Sequence, residues 1–271
     1  MTPGRGGVTL EHNMNKSEKL AELRHSVARY RLPDLRPPVR LGHDAADAVL
    51  RGGLHPGLHE VFPGDWCAGG FAAGLAIRAA GASLNEKRGP LFWVRPDYEA
   101  LEYGALSAAG LLELGGDPDR LVQLRAPSPA GALSAAADIL SCPHVGALLL
   151  EMGGMPRCLD LVASRRLALA ASEAGIAVLL LRAGAQAEPS AALTRWDIRT
   201  APSLPDDDDW GKPRWQARLT RHRQGGLGNF LMQWDCDHGL FRDAQTAEHA
   251  PHPGAVVSAP ADRPAFAAVA V

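Results

Sequence analysis

Residues His59–Ala82 read HEVFPGDWCAGGFAAGLAIRAAGA. This stretch predicts a short apolar strand, a glycine-rich turn and a helix of small residues. Gly64 and Gly69 stand at the two glycine positions of a phosphate-binding loop, Gly64-x-x-x-x-Gly69. A working loop of this type continues with Lys and then Ser or Thr. The ammonium reaches the β- and γ-phosphates, and the hydroxyl helps to hold Mg²⁺. Here Gly70 and Phe71 take those positions, and neither can donate to a phosphate or ligate a metal. The expectation is a nucleotide-site frame without its working groups. No catalytic residue and no cofactor are expected. ATP, if backbone N–H groups hold it, is not expected to be hydrolysed.

Outward from the loop, the chain alternates. Asp44–Leu50 predicts a short helix ended by Gly52-Gly53, and Leu58–Phe62 a strand. Strands are expected at Leu91–Val94, Leu121–Leu124, Val145–Glu151 and Ile176–Leu181, with helical segments at about 99–114 and at 130–140. Pro156 suits the first turn of a further helix and Gly175 its end. Continuous apolar strands alternating with helices mean an α/β fold, a mostly parallel sheet covered on both faces. Thr194–Thr200 predicts another strand. Arg214–Arg223 and Asn229–Trp234, flanking HRQGGLG, read as a C-terminal β-hairpin.

The flanks differ in character. Residues 1–36 are expected to form a disordered start and an amphipathic arm. Asn15 and Glu18 make a capping box, and Leu20, Leu23, Val27 and Tyr30 share one helical face among Lys16, Lys19, Arg24, Arg29 and Arg31. Pro33, Pro37 and Pro38 separate the arm from a core at 37–243. Residues 244–271, rich in Ala, Pro and His, are expected to be a disordered tail.

A length of 271 residues allows one large α/β domain with extensions. The net charge of −2 provides no global basic field for nucleic acid. No run reaches the ~18 apolar residues of a membrane span, and residues 1–13 lack the build of a signal peptide. Cys67, Cys142, Cys158 and Cys236 lie far apart without CxxC spacing, which favours reduced thiols and a cytoplasmic location.

Few residues offer chemistry. Glu151, a carboxylate at the end of an apolar strand, stands where nucleotide-binding proteins of this kind place a Mg²⁺-associated acid. Gly64, Gly69, Gly70 and Glu151 are therefore the expected remnant of a cofactor site. Asp97, Glu99 and Glu102 follow the Leu91–Val94 strand and include a candidate water-activating acid. Arg182 follows the Ile176–Leu181 strand and is a candidate to border the same crevice. Arg165 and Arg166 read as a solvated helix face, and Asp206–Asp209 as a solvated loop. Arg214, Arg218, Arg221 and Arg223, with Trp215 among them, are the candidate DNA or partner contacts. In the alternating reading Arg214, Arg218 and His222 share one face, and Trp215, Leu219 and Arg221 the other. Cys236-x-His238 with His249 and His252 has metal-like spacing but no compact frame, and no metal is expected. No GxSxG or HExxH is present.

The order of these features carries a resemblance. Leu41-Gly42, then Asp47-x-x-Leu50-x-Gly52-Gly53-Leu54-x-x-Gly57-x-x-Glu60, then Gly64-x4-Gly69, resembles the entry to a RecA-like recombinase core, as does Gly115–Glu151. Within that superfamily the chain is most similar to the inducible mutagenesis protein A (ImuA) family. Leu159–Arg182, Thr194-Arg195-Trp196 and Pro213-Arg214-Trp215-x-x-Arg218-Leu219 look like that family's signatures. The resemblance covers roughly residues 16–235.

It implies a RecA-like core and an accessory role in SOS-induced translesion DNA synthesis. The implied partners are a Y-family-like polymerase homologue, an error-prone C-family DNA polymerase and RecA itself, with DNA contacted indirectly and no membrane. The departure at Gly70 and Phe71 removes the case for ATP-driven strand exchange. Three other readings stay open: an SOS-type cell-division inhibitor, a weak nucleotide-binding switch, and a DNA-binding module acting through the basic hairpin.

Overall fold

The computed structural model describes residues 37–81, 89–204 and 211–244. The expected arm, the Asp206–Asp209 run, His249, His252 and the expected tail beyond Ala244 lie outside the described residues. The described chain runs α1 (Asp44–Val49), β1 (Gly57–Pro63), α2 (Gly69–Ala80), β2 (Leu91–Pro96), α3 (Asp97–Tyr103), α4 (Ala108–Glu113) and β3 (Leu121–Ala126). It continues with α5 (Pro129–Leu140), β4 (Ala147–Glu151), α6 (Leu161–Ala174), β5 (Ala177–Leu181), β6 (Thr194–Ala201), β7 (Arg214–His222), β8 (Gly228–Asp235) and β9 (Leu240–Asp243).

The strands make one sheet in the order β3-β2-β4-β5-β1-β6-β7-β8-β9. The six strands from β3 to β6 run parallel. β7, β8 and β9 add on antiparallel. The α/β fold with a mostly parallel, helix-flanked sheet and a C-terminal hairpin is thus as the sequence predicts.

Alternation sorts the central side chains onto two faces. Leu148, Leu150, Val178 and Leu180 pack with Ala132, Ala136 and Ile139 of α5 and with Leu167 and Ala171 of α6. Leu149, Ala177 and Leu179 turn to the opposite face, against Phe71, Ala72, Leu75, Ala76 and Ala79 of α2. The small residues of α2 let it lie close to the sheet. Beyond it, β6–β9 supply Trp196, Trp215, Trp234 and Phe241, all buried around the same helix.

β9 was not legible in the sequence, yet it completes this layer. Phe241 lies 5.0 Å from Phe71 and 4.7 Å from Trp234, ring centre to ring centre. Its amide donates to Leu41 O at 2.9 Å. The Trp234 indole donates to Leu114 O, and Gly115, at φ +73°, sits so near Cys236 O that a Cβ would be 2.1 Å away. Close approach there requires glycine. A second difference concerns Pro156. It precedes α6 in a turn and does not begin the helix. Asp160 is the cap, accepting from Ala163 N at 2.7 Å.

His59 on β1 is fully buried. Its Nδ1 lies 2.7 Å from Thr194 Oγ1 and its Nε2 2.8 Å from His55 O. The Trp196 indole donates to the same hydroxyl at 3.0 Å. The network suits a neutral ring, with Nε2–H donating to His55 and Nδ1 accepting from Thr194. Burial above all lowers the His59 pKa, to about 4. The folded chain therefore takes up this proton later than the unfolded chain, and stability is lost as pH falls from the usual histidine value towards 4. Urea titrations across that window should show a loss of about 3 kcal/mol. His59→Gln should flatten this dependence; an unchanged slope in that variant would assign it elsewhere.

Among the described residues no helix is long and apolar enough to cross a membrane.

Candidate functional site

The carboxyl ends of β1, β2, β4 and β5 open into a cleft of about 450 Å³. This volume lies within the range of small-ligand sites. Gly69, Gly70 and Glu151 line it, and Gly64 lies between the lining residues Pro63 and Asp65. The fold therefore brings the four expected remnant residues to one place.

The loop between Gly64 and Gly69 is a 3-10 turn, Trp66–Ala68, leading into α2. Asp65 caps it. One carboxylate oxygen accepts from Ala68 N at 3.0 Å, and the other from Thr200 N of β6 at 2.9 Å. The Gly64 amide donates to Ile198 O at 2.7 Å. In a phosphate-binding loop such amides face the anion; here a carboxylate of the chain itself takes up the Ala68 amide. Burial raises the Asp65 carboxyl, but its bonds from Thr200, Ala68 and Cys67 prevail and hold it below the usual carboxylate range.

Of the two positions after the loop, Gly70 is half-buried at the cleft and Phe71 lies in the core. A Cβ at Gly70 would stand 3.2 Å from the Trp215 ring. Phe71 has no exposed surface and contacts Trp196, Trp215 and Phe241 through its ring.

Glu151 is engaged on both oxygens. Oε1 accepts from the Trp93 indole at 2.7 Å. Oε2 lies 3.0 Å from Arg95 Nε, an ion pair by distance but off the line of the N–H, so it balances charge without an aligned hydrogen bond. Arg95 is buried and also donates to Gly104 O and Glu99 O. Burial raises the Glu151 pKa against the opposing pull of Arg95 and Trp93.

Of the acids that follow β2, Glu99 lines the cleft and accepts from Gly153 N at 2.6 Å. Asp97 pairs with Arg125 at 3.0 Å, and Glu102 is exposed. Trp66 and Tyr103 form an edge-to-face pair at the mouth, ring centres 4.6 Å apart. Trp66 is 72% exposed, and Leu101 on α3 is 81% exposed. Burial first, then Glu99, Glu102 and Glu151, raise the Tyr103 hydroxyl pKa.

Arg182 is not part of this cleft. Leu181 lines it, and the next residue turns to the other face. There Arg182 is buried, donating to Gly154 O, near a small cavity shared with Glu60, Ser164 and Ser190. Glu60 is itself paired with Arg195 at 2.8 Å.

The basic cluster divides. Arg214 is buried and donates to Pro202 O, and Arg221 donates to Ser190 O at 2.9 Å. Arg218 and Arg223 are exposed, with Arg218 opposite Asp197 in the sheet register. Arg214 and Arg218 keep one face of β7, as expected, but His222 leaves it. A register shift at Arg195/Trp196 offsets the end of β7, and burial claims Arg214. His238 is held by Asp235 at 2.9 Å, and among the described residues no cluster of His, Cys, Asp and Glu could hold a metal.

Sequence reading missed Asp65, Arg95 and the Trp66–Tyr103 pair. An Asp directly after the first glycine of the loop was the one available signal.

No protein-family model matches the chain. Two curated relatives do, both named Protein ImuA, from Caulobacter vibrioides strains NA1000/CB15N and ATCC 19089/CIP 103742/CB 15. Each is 34% identical over 250 residues, covering 86% of this chain and 94% of the relative. Identity of that extent, across nearly the full length of the relatives, shows that the chain belongs to the ImuA family.

Proposed function

We propose that this protein is a non-catalytic accessory factor of SOS-induced translesion DNA synthesis, which uses a RecA-like body to assemble an error-prone polymerase complex in damage tolerance and mutagenesis. Membership in the ImuA family supports the setting. The observation that carries the non-catalytic part is Phe71. The residue standing where a metal-binding hydroxyl would be is a fully buried member of the aromatic layer. The partners in this reading are a Y-family-like polymerase homologue, an error-prone C-family polymerase and RecA, and DNA is reached through them.

Two measurements test the proposal. Calorimetric titration with millimolar ATP and Mg²⁺ should give no binding heat, and co-purification with the two polymerase homologues should persist without nucleotide. Magnesium-dependent ATP turnover that a Gly64 substitution abolishes would overturn the non-catalytic reading. Undiminished damage-induced mutation in a strain lacking the protein would overturn the setting.

A further inference from the structure

β6 and β7 carry a face that strict alternation along the sequence does not reveal. Asp197 stands opposite Arg218 and Arg199 opposite Gln216, so one face of the pair holds Arg195, Arg199 and Arg218. Alternation from Arg218 would turn Arg221 to the other face, with Trp215. The register shift at Arg195/Trp196 leaves Thr220 as the extra residue and sets Arg221 opposite Arg195. Arg221 thereby joins the arginine face, while His222 comes to stand opposite Thr194 on the other. Arg223 continues the row, its amide donating to Leu193 O at 3.0 Å.

The row is crowded with like charge. Burial first, then Arg223 and Arg195, lower the Arg221 pKa. Arg195 is balanced by Glu60 at 2.8 Å and lies over the Phe62 ring. Arg199, Arg218 and Arg223 are exposed, and among the described residues none has a carboxylate within ion-pair distance. Asp197 is the one acid in the sequences of β6 and β7. Folding has gathered cations that a net charge of −2 conceals.

Shape narrows the ligand. From Leu193, opposite Arg223, to Arg199 the extended chain runs about 20 Å, so the arginines form a narrow stripe along the strands. Gln216 and Asn229 border it, hydrogen-bonded to each other at 2.7 Å. β6 and β7 present no exposed aromatic or large aliphatic side chain that could anchor a protein partner. A row of guanidiniums suits a row of phosphates, which their planar forks pair bidentately. With no exposed ring to stack on a base, such contacts follow the backbone and leave the sequence unread.

We infer that the stripe of Arg199, Arg218, Arg221 and Arg223 binds the phosphate backbone of DNA directly, without sequence preference. This goes beyond the accessory reading, in which partners bring the protein to DNA, and does not depend on it.

The test uses the purified full-length protein alone, with short fluorescent oligonucleotides, single-stranded and duplex, read by anisotropy. Log K should fall by about 3 per log unit of salt, as for three or four phosphates. Arg199→Gln/Arg218→Gln/Arg223→Gln should bind at least about tenfold more weakly and with a shallower slope. Its three positions are exposed, and an unchanged melting curve will show that it is folded; Arg218→Gln alone should already reduce the slope by about 1. Arg221→Gln should weaken binding too, because the register shift brings that charge to the stripe. Arg125→Gln, on β3 at the far edge of the sheet, removes one charge elsewhere and should leave binding unchanged. No binding to either oligonucleotide at low salt overturns the inference, as does binding that the triple variant leaves intact. If that variant loses co-purification with the polymerase homologues but keeps DNA, the stripe is a protein contact and the inference falls. A marked preference for one base composition overturns the backbone reading. Comparison of single strand with duplex tells which form the stripe takes, and binding to either upholds it. DNA binding by the isolated protein without any co-purifying polymerase would defeat the accessory reading alone.

Discussion

Arg95→Met is expected to lower stability by about 3–5 kcal/mol, because it leaves the Glu151 carboxylate buried without its counter-charge. Arg95 is 2% exposed and Glu151 7%, so water cannot take over the role of the guanidinium. Gly104 O and Glu99 O lose a donor as well. The deficit should depend on pH. Glu151 already holds its proton to a higher pH in the folded chain than in the unfolded one. Its contribution is therefore fully present below the usual carboxylate range and is lost as pH rises through the raised value. Removing Arg95 raises that value further. The gap between variant and wild type should be widest near neutrality and should close as acid protonates Glu151. The double variant Arg95→Met/Glu151→Gln keeps an acceptor for the Trp93 indole and removes the charge, so it should recover much of the loss. Denaturant unfolding of the three proteins at pH 4.5 and pH 7.5 checks this. A deficit of equal size at both pH values would mean that packing, not charge, dominates.

Rebuilding a complete phosphate loop by Gly70→Lys/Phe71→Thr should unfold the protein rather than restore an activity. Phe71→Thr empties most of a fully buried aromatic volume between Trp196, Trp215 and Phe241, and large-to-small changes of this kind cost about 3–5 kcal/mol. The new hydroxyl adds a polar group to an apolar layer. A side chain placed at Gly70 would begin from a Cβ only 3.2 Å from the Trp215 ring. The expected result is a large fall in denaturation midpoint and no heat with ATP. Phe71→Leu, which keeps most of the volume, should lose much less. A well-folded double variant that turns over ATP would show that the loop retains its former competence.

Much of the fold was legible because its strands declare themselves. ALLLE and AVLLL, over 147–151 and 177–181, are buried along their whole length, as continuous apolar runs in a parallel sheet should be. The small residues of α2 likewise pointed to close packing on a sheet. β9 escaped because Leu240–Asp243 is too short for periodicity to register, and its value lies in where Phe241 lands. Pro156 misled because a proline near a helix start need not begin it when an aspartate stands nearer.

The site was legible as a place and not as a set of contacts. Gly64, Gly69, Gly70 and Glu151 do converge. The function of Asp65 depends on Thr200, 135 residues away, and that of Glu151 on Arg95 and Trp93 across the neighbouring strand. No local pattern carries such pairings. Arg182, Arg214 and Arg221 show the same limit, since charge in a sequence does not tell whether the group meets solvent or a carbonyl.

The hydrogen bond from Phe241 to Leu41 bears on how the chain could be recut. It ties the first part of the described body to the last, so the backbone nearly closes into a ring. A circular permutant that joins those two regions through a short bridge, and opens instead between β6 and β7, would keep each strand beside its present neighbours. Apart from Trp196, the aromatic layer around α2 would then be assembled from one uninterrupted segment, giving a version of the protein whose flanking extensions can be removed or exchanged at will.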